Sequence, residues 1–393
     1  MTNTLQILKT YWNHSTFRAP QEKIIEAVLK TKNVIALLPT GGGKSVCFQI
    51  PAIMQEGVCI VVSPLIALMQ DQVDSLNEKG IKALALVSGT DQDDLIALFD
   101  NIRFGNYKFL YLSPERLQST FIQEKIKQLN VNLIAIDEAH CISEWGHDFR
   151  PSYRNINILK SLKPAAPIIA LTATATKKVI EDISMCLELK DVSIFKKSFY
   201  RENLAYQFFN TEDKLQRLIQ ICTKTKAPII IYANSRNRTK EVATFLNANN
   251  FKTSYYHGGL TPDQKQRSFD NWISEKTPII VATNAFGMGI DKSNVKVVVH
   301  IDLPNSIENY IQEAGRAGRD GKKAFSAVLY NSNDIRISLE KIKSAFPSIQ
   351  EIKSIYSSLF QNYQIANGEL LADSFEFNLL EFCNTYAYNS AKV

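Results

Sequence analysis

Short, mainly apolar runs alternate with longer segments of helical spacing over the first half of the chain. The runs occupy residues 33–38, 58–63, 82–88, 109–113, 133–137 and 167–173. Strands that are apolar on both faces are typical of parallel sheets covered by helices on both sides. Segments such as 21–30 and 65–79 have the spacing of amphipathic helices. The alternation predicts an α/β domain with a doubly wound parallel sheet over residues 1–199.

The same alternation begins again after a polar stretch at residues 196–203. Apolar runs at 228–233, 253–258, 278–283, 295–302 and 324–330 predict a second doubly wound domain over residues 200–333. Beyond residue 334 the apolar positions have helical spacing, apart from a weak strand pattern at 375–380. We therefore expect a short, mainly helical tail over residues 334–393.

Composition narrows the class of protein. The chain has 393 residues, of which 45% are hydrophobic and 21% charged, so wholesale disorder and a small disulfide scaffold are excluded. The net charge of +6 permits an anionic partner without requiring one. No two of the six cysteines have CxxC spacing, which predicts reduced thiols in a cytoplasmic protein. The sequence predicts neither a secretory signal nor a membrane span.

A glycine-rich segment follows the first predicted strand and precedes a helix. Its residues are Thr40, Gly41, Gly42, Gly43, Lys44 and Ser45. Glycines let backbone N–H groups approach phosphates, while a lysine reaches the β and γ oxygens and a serine hydroxyl can bind Mg²⁺. The alternative is a plain glycine-rich turn.

Two adjacent carboxylates, Asp137 and Glu138, lie at the end of the predicted strand at 133–137. Carboxyl ends of parallel strands line the crevice where α/β sheets bind ligands. Asp137 can hold the Mg²⁺ that bridges nucleotide phosphates, and Glu138 can act as general base towards water. A solvated acidic turn is the alternative, which a phosphate loop in the same domain makes less favourable.

The second half carries a pair of arginines, Arg316 and Arg319, in the segment QEAGRAGRD at 312–320. If this segment is helical, both guanidinium groups lie on one face and can clamp phosphate oxygens across a cleft. Surface salt bridges are the alternative.

Taken in order, these motifs resemble those of the superfamily-two helicases and, within them, of the RecQ family of DNA helicases. The resemblance runs from about residue 17 to residue 321. The string AHCISEWGHDFRPSY at 139–153 resembles the aromatic-rich loop of that family, and FRAPQ at 17–21 resembles its adenine-recognition segment. Residues 172–174, 234–236 and 282–295 resemble the third, fourth and fifth helicase motifs.

The resemblance implies two tandem RecA-like domains with ATP and Mg²⁺ in the cleft between them. It implies that Arg18 and Gln21 contact adenine, with His14 where the family usually has a stacking aromatic residue. It places Gln312 at the nucleotide and makes Arg319 the arginine finger. Phe17, in contrast, is predicted from its residue type to be a core residue.

DNA contact and coupling to hydrolysis are implied for six residues: His140, Trp145, Phe149, Arg150, Ser63 and Arg236. Judged by residue type alone, Trp145 and Phe149 are more typical of a core, whereas their polar neighbours favour stacking on single-stranded bases. Helix capping explains Ser63, the 113–116 segment and residues 234–236 equally well. A strand-ending turn is the alternative for residues 172–174, and a flexible loop for residues 282–295.

The activity implied is ATP-dependent 3′ to 5′ DNA unwinding in repair or recombination, by a monomer acting on single-stranded and forked DNA. A translocase that does not unwind and a nucleotide-gated binding module are the alternatives. A general base at Glu138 and a finger at Arg319 argue against a module that only binds.

The family commonly continues into a four-cysteine zinc module. This tail has one cysteine, Cys383, and no histidine after residue 300, so we expect no structural zinc. The tail either replaces that module or is the start of a longer C-terminal region.

Overall fold

The computed structural model describes residues 3–64, 66–86, 91–146, 149–287, 292–366, 369, 374–390 and 392–393. Its first half contains a seven-stranded parallel sheet in the order β3-β4-β2-β5-β6-β1-β7. The strands are β1 (Val34–Leu37), β2 (Val58–Val62), β3 (Ala83–Leu86), β4 (Phe109–Leu112), β5 (Val131–Ile136), β6 (Ile168–Thr172) and β7 (Ser193–Lys196).

Helices cover both faces of this sheet. They are α1 (Thr4–Trp12), α2 (Gln21–Leu29), α3 (Val46–Met54), α4 (Ile66–Glu78), α5 (Gln92–Phe104), α6 (Thr120–Gln128), α7 (Ile158–Leu162) and α8 (Lys177–Cys186). Short 3₁₀ helices span Arg116–Gln118, Ala139–Ile142 and Pro151–Asn157.

Each face of the first sheet has its own hydrophobic core. Along β1, Ile35 and Leu37 pack into one core, while Val34 and Ala36 pack into the other. Successive side chains of a strand point to opposite faces, so a central strand needs apolar residues throughout. This is the physical reason that the uninterrupted apolar runs predict the strands.

A second parallel sheet has six strands in the order β10-β11-β9-β12-β13-β8. Its strands are β8 (Leu204–Asn210), β9 (Ile229–Tyr232), β10 (Thr253–Tyr256), β11 (Ile279–Ala282), β12 (Val297–His300) and β13 (Ala324–Tyr330). The flanking helices are α9 (Lys214–Lys224), α10 (Arg236–Ala248), α11 (Pro262–Ile273) and α12 (Ile307–Ala314). The prediction of two doubly wound sheets is confirmed.

Two edge strands, β7 and β8, were not predicted. Each lies at the outer edge of its sheet, and β8 exposes most of its side chains to solvent. An edge strand is covered less than a central one, so it lacks the continuous apolar run that marks a buried strand. The predicted domain boundaries after residues 199 and 333 stay predictions.

The tail forms α13 (Ser332–Ala345), α14 (Ile349–Asn362) and α15 (Leu379–Tyr386). The expectation of a strand at 375–380 is wrong. The Asn378 side chain accepts a hydrogen bond from Glu381 N and begins α15 there. Phe382 and Cys383 of that helix pack against Ile355 of α14 in a small core.

Within the described residues no helix is long and apolar enough to span a membrane. Over the same part of the chain none of the six cysteines forms a disulfide, and five of them are buried.

Candidate active site

The glycine-rich segment forms a loop between β1 and α3. Gly41 and Gly43 have φ of +74° and +73°, a backbone region that side-chain-bearing residues rarely adopt. Ser45 is the N-cap residue of α3, and its hydroxyl makes no capping bond. The loop therefore leads into a helix N-terminus, an arrangement that binds phosphate through backbone N–H groups.

A cavity of about 910 Å³ lies over this loop, and both halves of the chain line it. Residues of the first half include His14, Arg18, Gln21, Thr40, Gly41, Gly43, Lys44, Ser45, Asp137 and Glu138. Residues of the second half include Gly287, Gln312, Arg316 and Arg319. The structure thus brings nearly all predicted nucleotide-site residues into one cleft between the sheets. The exception is Gly42, whose carbonyl accepts a hydrogen bond from Gln21.

Arg18 and Gln21 contact the phosphate loop directly. Arg18 Nη1 donates to Gly41 O at 2.8 Å, and Gln21 Nε2 donates to Gly42 O and Gly43 O at 3.2 and 3.1 Å. Gln21 Oε1 accepts from Arg18 N at 2.9 Å, so both ends of the amide are engaged by the chain. His14 is exposed at the cavity. The predicted contacts of these residues with adenine stay a prediction.

Phe17 is the neighbour of Arg18 in the sequence. It packs against a core formed by Ile7, Leu8, Ile25 and Ile50. The prediction that it is a core residue agrees with this packing.

Asp137 and Glu138 follow β5 at its carboxyl end, beneath the cavity. Lys44 Nζ lies 3.9 Å from Glu138 Oε1, and Glu138 N donates to Asp137 Oδ1 at 3.0 Å. Burial, with the neighbouring Glu138 charge, raises the pKa of Asp137 to about 6, and Lys44 opposes this. Glu138 has a φ of +47°, a strained conformation for a glutamate. A solvated acidic turn does not fit these buried carboxylates.

His140 joins the acidic pair to the end of β6. Its Nδ1 lies 3.4 Å from Glu138 Oε2 and 2.9 Å from Thr172 Oγ1. Thr172 Oγ1 also donates to Thr174 O at 2.9 Å, and all three residues are buried. Residues 172–174 therefore form a turn that is also bonded to the histidine beside the predicted general base.

The two arginines lie beyond the end of α12, in a run of turns, so the condition of a helical segment is not met there. Gly318 lies between them with a φ of +65°, in the left-handed backbone region. Both side chains still reach the cavity: Arg316 packs against Gly287, and Arg319 against Gly41. Arg316 is only 4% exposed, which excludes a surface salt bridge for it.

Sequence reasoning missed Arg201, which fastens this arginine segment to the second sheet. Its guanidinium donates to Gly315 O at 3.0 Å and to Gly318 O. Asn203 Nδ2 also donates to Gly318 O, at 2.7 Å. Nothing in the local pattern distinguishes Arg201 from an exposed linker residue, because its partners lie more than a hundred residues away.

Trp145 and Phe149 lie towards the surface, whereas residues 139–143 and Tyr153 of the same segment are buried. Trp145 is 63% exposed, with Lys178 Nζ 3.0 Å from its ring centroid. Phe149 is half-buried, with the Arg154 guanidinium 5.6 Å from its ring centroid. Because the Trp145 ring is exposed, the interpretation of Trp145 as a core residue is wrong. An exposed ring beside a cation suits stacking on bases. His147 and Asp148 lie outside the described residues.

Arg150 connects this segment to the turn before α4. Its Nη1 donates to Pro64 O at 2.9 Å. Ser63 beside it is 1% exposed, and its hydroxyl has no hydrogen-bond partner among the described residues. Ser63 is therefore not a helix cap.

The other residues predicted to contact DNA phosphates differ in what they do in the structure: two serines accept capping hydrogen bonds, and one arginine is exposed. Ser113 Oγ accepts from Arg116 N at 3.4 Å, and Ser235 caps α10 by accepting from Arg238 N at 3.1 Å. Arg236 is exposed and packs against Gly259. Residues 288–291 of the fifth motif and Leu65 lie outside the described residues.

A second missed residue, Gln72 on α4, lines the same cavity as Asp137. Burial raises the pKa of Asp137, and the Gln72 side chain acts in the opposite direction and lowers it. Tyr111 Oη donates to Gln72 Oε1 at 3.0 Å. No motif marks Gln72, because its role depends on where α4 lies relative to β5.

Ser45 and Asp137 have the donor chemistry that Mg²⁺ prefers. A hydroxyl and a buried carboxylate both face the cavity at the phosphate loop. Mg²⁺ usually takes one or two such ligands and completes its shell with phosphates and waters. These two residues fit the ion that the nucleotide would bring. Among the described residues no cluster of three or more His, Cys, Asp or Glu could hold a metal, and the expectation of no structural zinc stays a prediction.

Comparisons with known proteins agree with this geometry. Residues 18–183 match the DEAD/DEAH box helicase family, and residues 212–321 match the helicase conserved C-terminal domain. Among solved structures, the DUF1998 helicase MrfA bound to DNA superposes with a TM-score of 0.72 at 20% identity, over 87% of this chain and 50% of that one. At that identity the likeness shows the fold alone.

Curated relatives show the family. The chain is 40% identical to the probable ATP-dependent DNA helicase RecS of Bacillus subtilis, over 90% of this chain and 72% of that protein. It is 41% identical to the ATP-dependent DNA helicase RecQ of the same organism, over 84% of this chain and 56% of that protein. The chain thus spans little more than half the length of RecQ. On this evidence, the chain belongs to the RecQ family of ATP-dependent DNA helicases.

Proposed function

We propose that this chain is an ATP-dependent DNA helicase motor that moves 3′ to 5′ along single-stranded DNA and separates forked duplexes, in DNA repair or recombination. The observation that carries the proposal is the cavity in which Lys44 and Glu138 of the first sheet face Arg319 of the second. A module that only binds nucleotide needs no general base and no arginine from a second domain, whereas hydrolysis uses both.

In this proposal the nucleotide is ATP, with its phosphates on the backbone N–H groups of residues 41–45. Ser45 and Asp137 hold Mg²⁺, which neutralises charge on the phosphates. Glu138 accepts a proton from the attacking water, with Lys44 and His140 holding its carboxylate. Arg319 and Arg316 stabilise the charge that develops on the γ-phosphate, Gln312 contacts the nucleotide, and Arg18 and Gln21 recognise adenine.

DNA lies at the surface beside the aromatic segment in this proposal. Trp145 and Phe149 stack on bases, and Arg150 and Arg236 approach phosphates. His140 and Ser63 connect these contacts to the catalytic carboxylates in this proposal. His140 hydrogen-bonds to Thr172, and Ser63 lies just before α4. We further propose that the motor acts as a monomer in the cytoplasm, on the nucleoid in a bacterium, and contains no structural zinc.

The test is DNA-stimulated phosphate release measured beside fork unwinding on the 393-residue chain. We expect single-stranded DNA to raise ATP turnover and a fork with a 3′ single-stranded arm to be unwound. Lys44→Ala serves as the inactive control in both assays. Turnover without unwinding would favour a translocase, and nucleotide and DNA binding without turnover would leave only a binding module.

A further inference from the structure

The segment between β7 and β8, residues 197–203, joins the two sheets, and we call it the connector. Its first residue is bonded to the first sheet: Lys197 N donates to Leu37 O at 3.0 Å, at the end of β1. Its last residue is bonded to the second sheet, where Asn203 O accepts from Ala324 N at 2.8 Å. The connector therefore runs from the strand that leads into the phosphate loop to the start of β13.

Two connector side chains hold the turn that carries the cavity arginines. Arg201 Nη1 donates to Gly315 O at 3.0 Å, and Arg201 Nη2 donates to Gly318 O. Asn203 Nδ2 donates to Gly318 O at 2.7 Å and to Lys322 O at 2.9 Å. Hydrogen bonds from a charged guanidinium are stronger than those between neutral groups.

The two carbonyls that Arg201 binds belong to the residues immediately before Arg316 and Arg319. A peptide unit is planar, so fixing a carbonyl oxygen also fixes the direction of the next α-carbon. Gly315 and Gly318 leave this backbone more conformational freedom than other residues would. Bonds from outside the turn therefore determine where the two arginine side chains begin.

The same turn lies against the phosphate loop of the first sheet. A β-carbon built on Gly315 would collide with Thr40 Oγ1, and Arg319 packs against Gly41. Arg316 is 4% exposed, lines the cavity, and has no hydrogen-bond partner for its Nε among the described residues. A small displacement of the turn would thus change the distance from both guanidinium groups to phosphates on the loop.

Electrostatic repulsion makes an outside anchor necessary. Lys44 and Arg18 line the side of the cavity formed by the first sheet, and Arg316 and Arg319 line the other side. Like charges across a partly buried cleft repel one another until an anion is bound between them. Without the bonds from the connector, this repulsion would favour a turn that lies further from the phosphate loop.

We propose that Arg201, assisted by Asn203, is a positioning residue that holds Arg319 at the distance from the phosphate loop that hydrolysis requires. Arg201 is not among the described residues that line the cavity, so it acts through the turn and not on the nucleotide. The inference rests on the proposed function, because it takes the role of Arg319 from there. It adds that the connector sets the position of a catalytic group and does more than tether two domains.

Arg217 on α9 offers a matched control. It is half-buried, as Arg201 is, and belongs to the same half of the chain. Its guanidinium lies 4.3 Å from the ring centroid of Phe209 and donates to Gln220 Oε1 at 2.9 Å. Arg217→Ala therefore removes the same side chain without a change at the arginine turn.

The first measurement is steady-state phosphate release, with kcat and KM determined separately. A misplacement of about 1 Å can cost on the order of 10²-fold in rate, so we expect Arg201→Ala to lower kcat by roughly that factor. The KM for ATP should change little, and Arg217→Ala should match the unaltered chain in both quantities. A raised KM at unchanged kcat would make Arg201 a binding contact and overturn the inference.

The second measurement needs no turnover. ADP with aluminium fluoride imitates the phosphoryl group in the transition state, where an arginine finger acts, whereas ADP alone does not. We expect Arg201→Ala to weaken binding of ADP with aluminium fluoride and to leave the affinity for ADP unchanged. An equal loss for both ligands, or a loss for neither, contradicts a positioning role.

The decisive comparison combines Arg201→Ala with Arg319→Ala. If Arg201 acts through Arg319, the double variant should have nearly the kcat of Arg319→Ala, because no finger is left to position. Losses that multiply would show that Arg201 acts independently of Arg319, and they overturn the inference. If Arg201→Ala does not fold, Asn203→Ala, alone and combined with Arg319→Ala, decides by the same criterion.

Failure of the proposed function gives a different result. An unaltered chain without ATP turnover, or an Arg319→Ala variant with unaltered kcat, contradicts the proposed function before any connector variant is made. If Arg319→Ala is slow and Arg201→Ala and Asn203→Ala turn over ATP at the unaltered rate, the proposed function stands and the inference is wrong.

Discussion

The Arg319 side chain lies against Gly41 of the phosphate loop: a β-carbon built on Gly41 would be 3.3 Å from Arg319 Cγ. These residues follow strands of different sheets, so their contact crosses the cleft. Any side chain at Gly41 would meet both this arginine and a φ of +74°. Arg319 is thus within reach of phosphates bound on the loop.

Arg319→Ala is expected to lower kcat by about 10³-fold, because an arginine finger stabilises charge that appears mainly in the transition state. Nucleotide affinity should change little. Steady-state phosphate release and equilibrium binding of a fluorescent nucleotide measure the two quantities. Arg336→Ala, at an exposed ion pair with Glu340 on α13, is the control. A loss of affinity at unchanged kcat would make Arg319 a ground-state contact.

Glu138→Gln is expected to lower turnover by roughly 10²-fold or more while nucleotide still binds, because the amide cannot accept the proton of water. Lys44→Ala should weaken nucleotide binding as well. Glu181→Gln on α8, where the carboxylate is exposed, should match the unaltered chain. Hydrolysis by Glu138→Gln at the unaltered rate would assign the base elsewhere.

Trp145→Ala is expected to blunt the stimulation of ATPase by single-stranded DNA and to spare the basal rate. Because the ring is 63% exposed, the melting temperature should stay nearly constant, whereas loss of a core tryptophan costs ~3–5 kcal/mol. Phe104→Ala is the matched control, since that ring is also exposed and lies 5.3 Å from the Arg103 guanidinium. Equal DNA stimulation in Trp145→Ala would remove the ring from the DNA path.

Asp137→Asn is expected to stabilise the nucleotide-free chain at pH 7 to 8 while weakening Mg²⁺-dependent nucleotide binding. Burial and Glu138 raise the pKa of Asp137, so ionisation of this carboxyl costs folding free energy at neutral pH. The gain, on the order of 1–3 kcal/mol, should vanish below about pH 4, where the carboxyl is protonated in both folded and unfolded chains. Thermal unfolding across pH in Mg²⁺-free buffer measures it. A lower melting temperature for Asp137→Asn at pH 8 would contradict the prediction.

Zinc removal is expected to have no effect. A structural zinc needs about four Cys or His ligands, and the tail offers only Cys383. A chelator that spares Mg²⁺ should leave the melting temperature and the DNA-stimulated ATPase unchanged, and metal analysis should find well below one zinc per chain. Stoichiometric zinc would require ligands from the thiols of the two sheet domains.

Much of the fold could be predicted because central parallel strands are buried on both faces. Strands such as β2 and β11 are apolar throughout because helices cover both sides of their sheets. The edge strands β7 and β8 escaped prediction because solvent covers part of their surface. The pattern at residues 375–380 favours a strand because apolar residues alternate at its start, whereas the Asn378 cap that begins the helix at Leu379 is a single side-chain contact.

The phosphate loop and the acidic pair could also be predicted, since their chemistry is local. Gly41, Gly43 and Lys44 act through backbone and side chains within a few residues, and Asp137 and Glu138 adjoin one strand end. The position of Arg319 could not be derived from spacing, because it lies in a turn rather than a helix. Contacts distant in sequence hold that turn, among them the bonds from Arg201 and Asn203 to Gly318 O and from Gly318 N to Val295 O.

Gln70 and Gln72 on α4 show which properties of a residue the sequence by itself determines. The apolar positions Met69, Val73 and Leu76 determine which side of α4 is buried, and they place Gln72 nearer to that side than Gln70. That Gln72 lines the same cavity as Asp137 follows from the order of strands, which puts β2 between β4 and β5. Strand order depends on contacts between residues far apart in the chain, so local pattern determined the burial of each glutamine, and tertiary packing alone decided its partner.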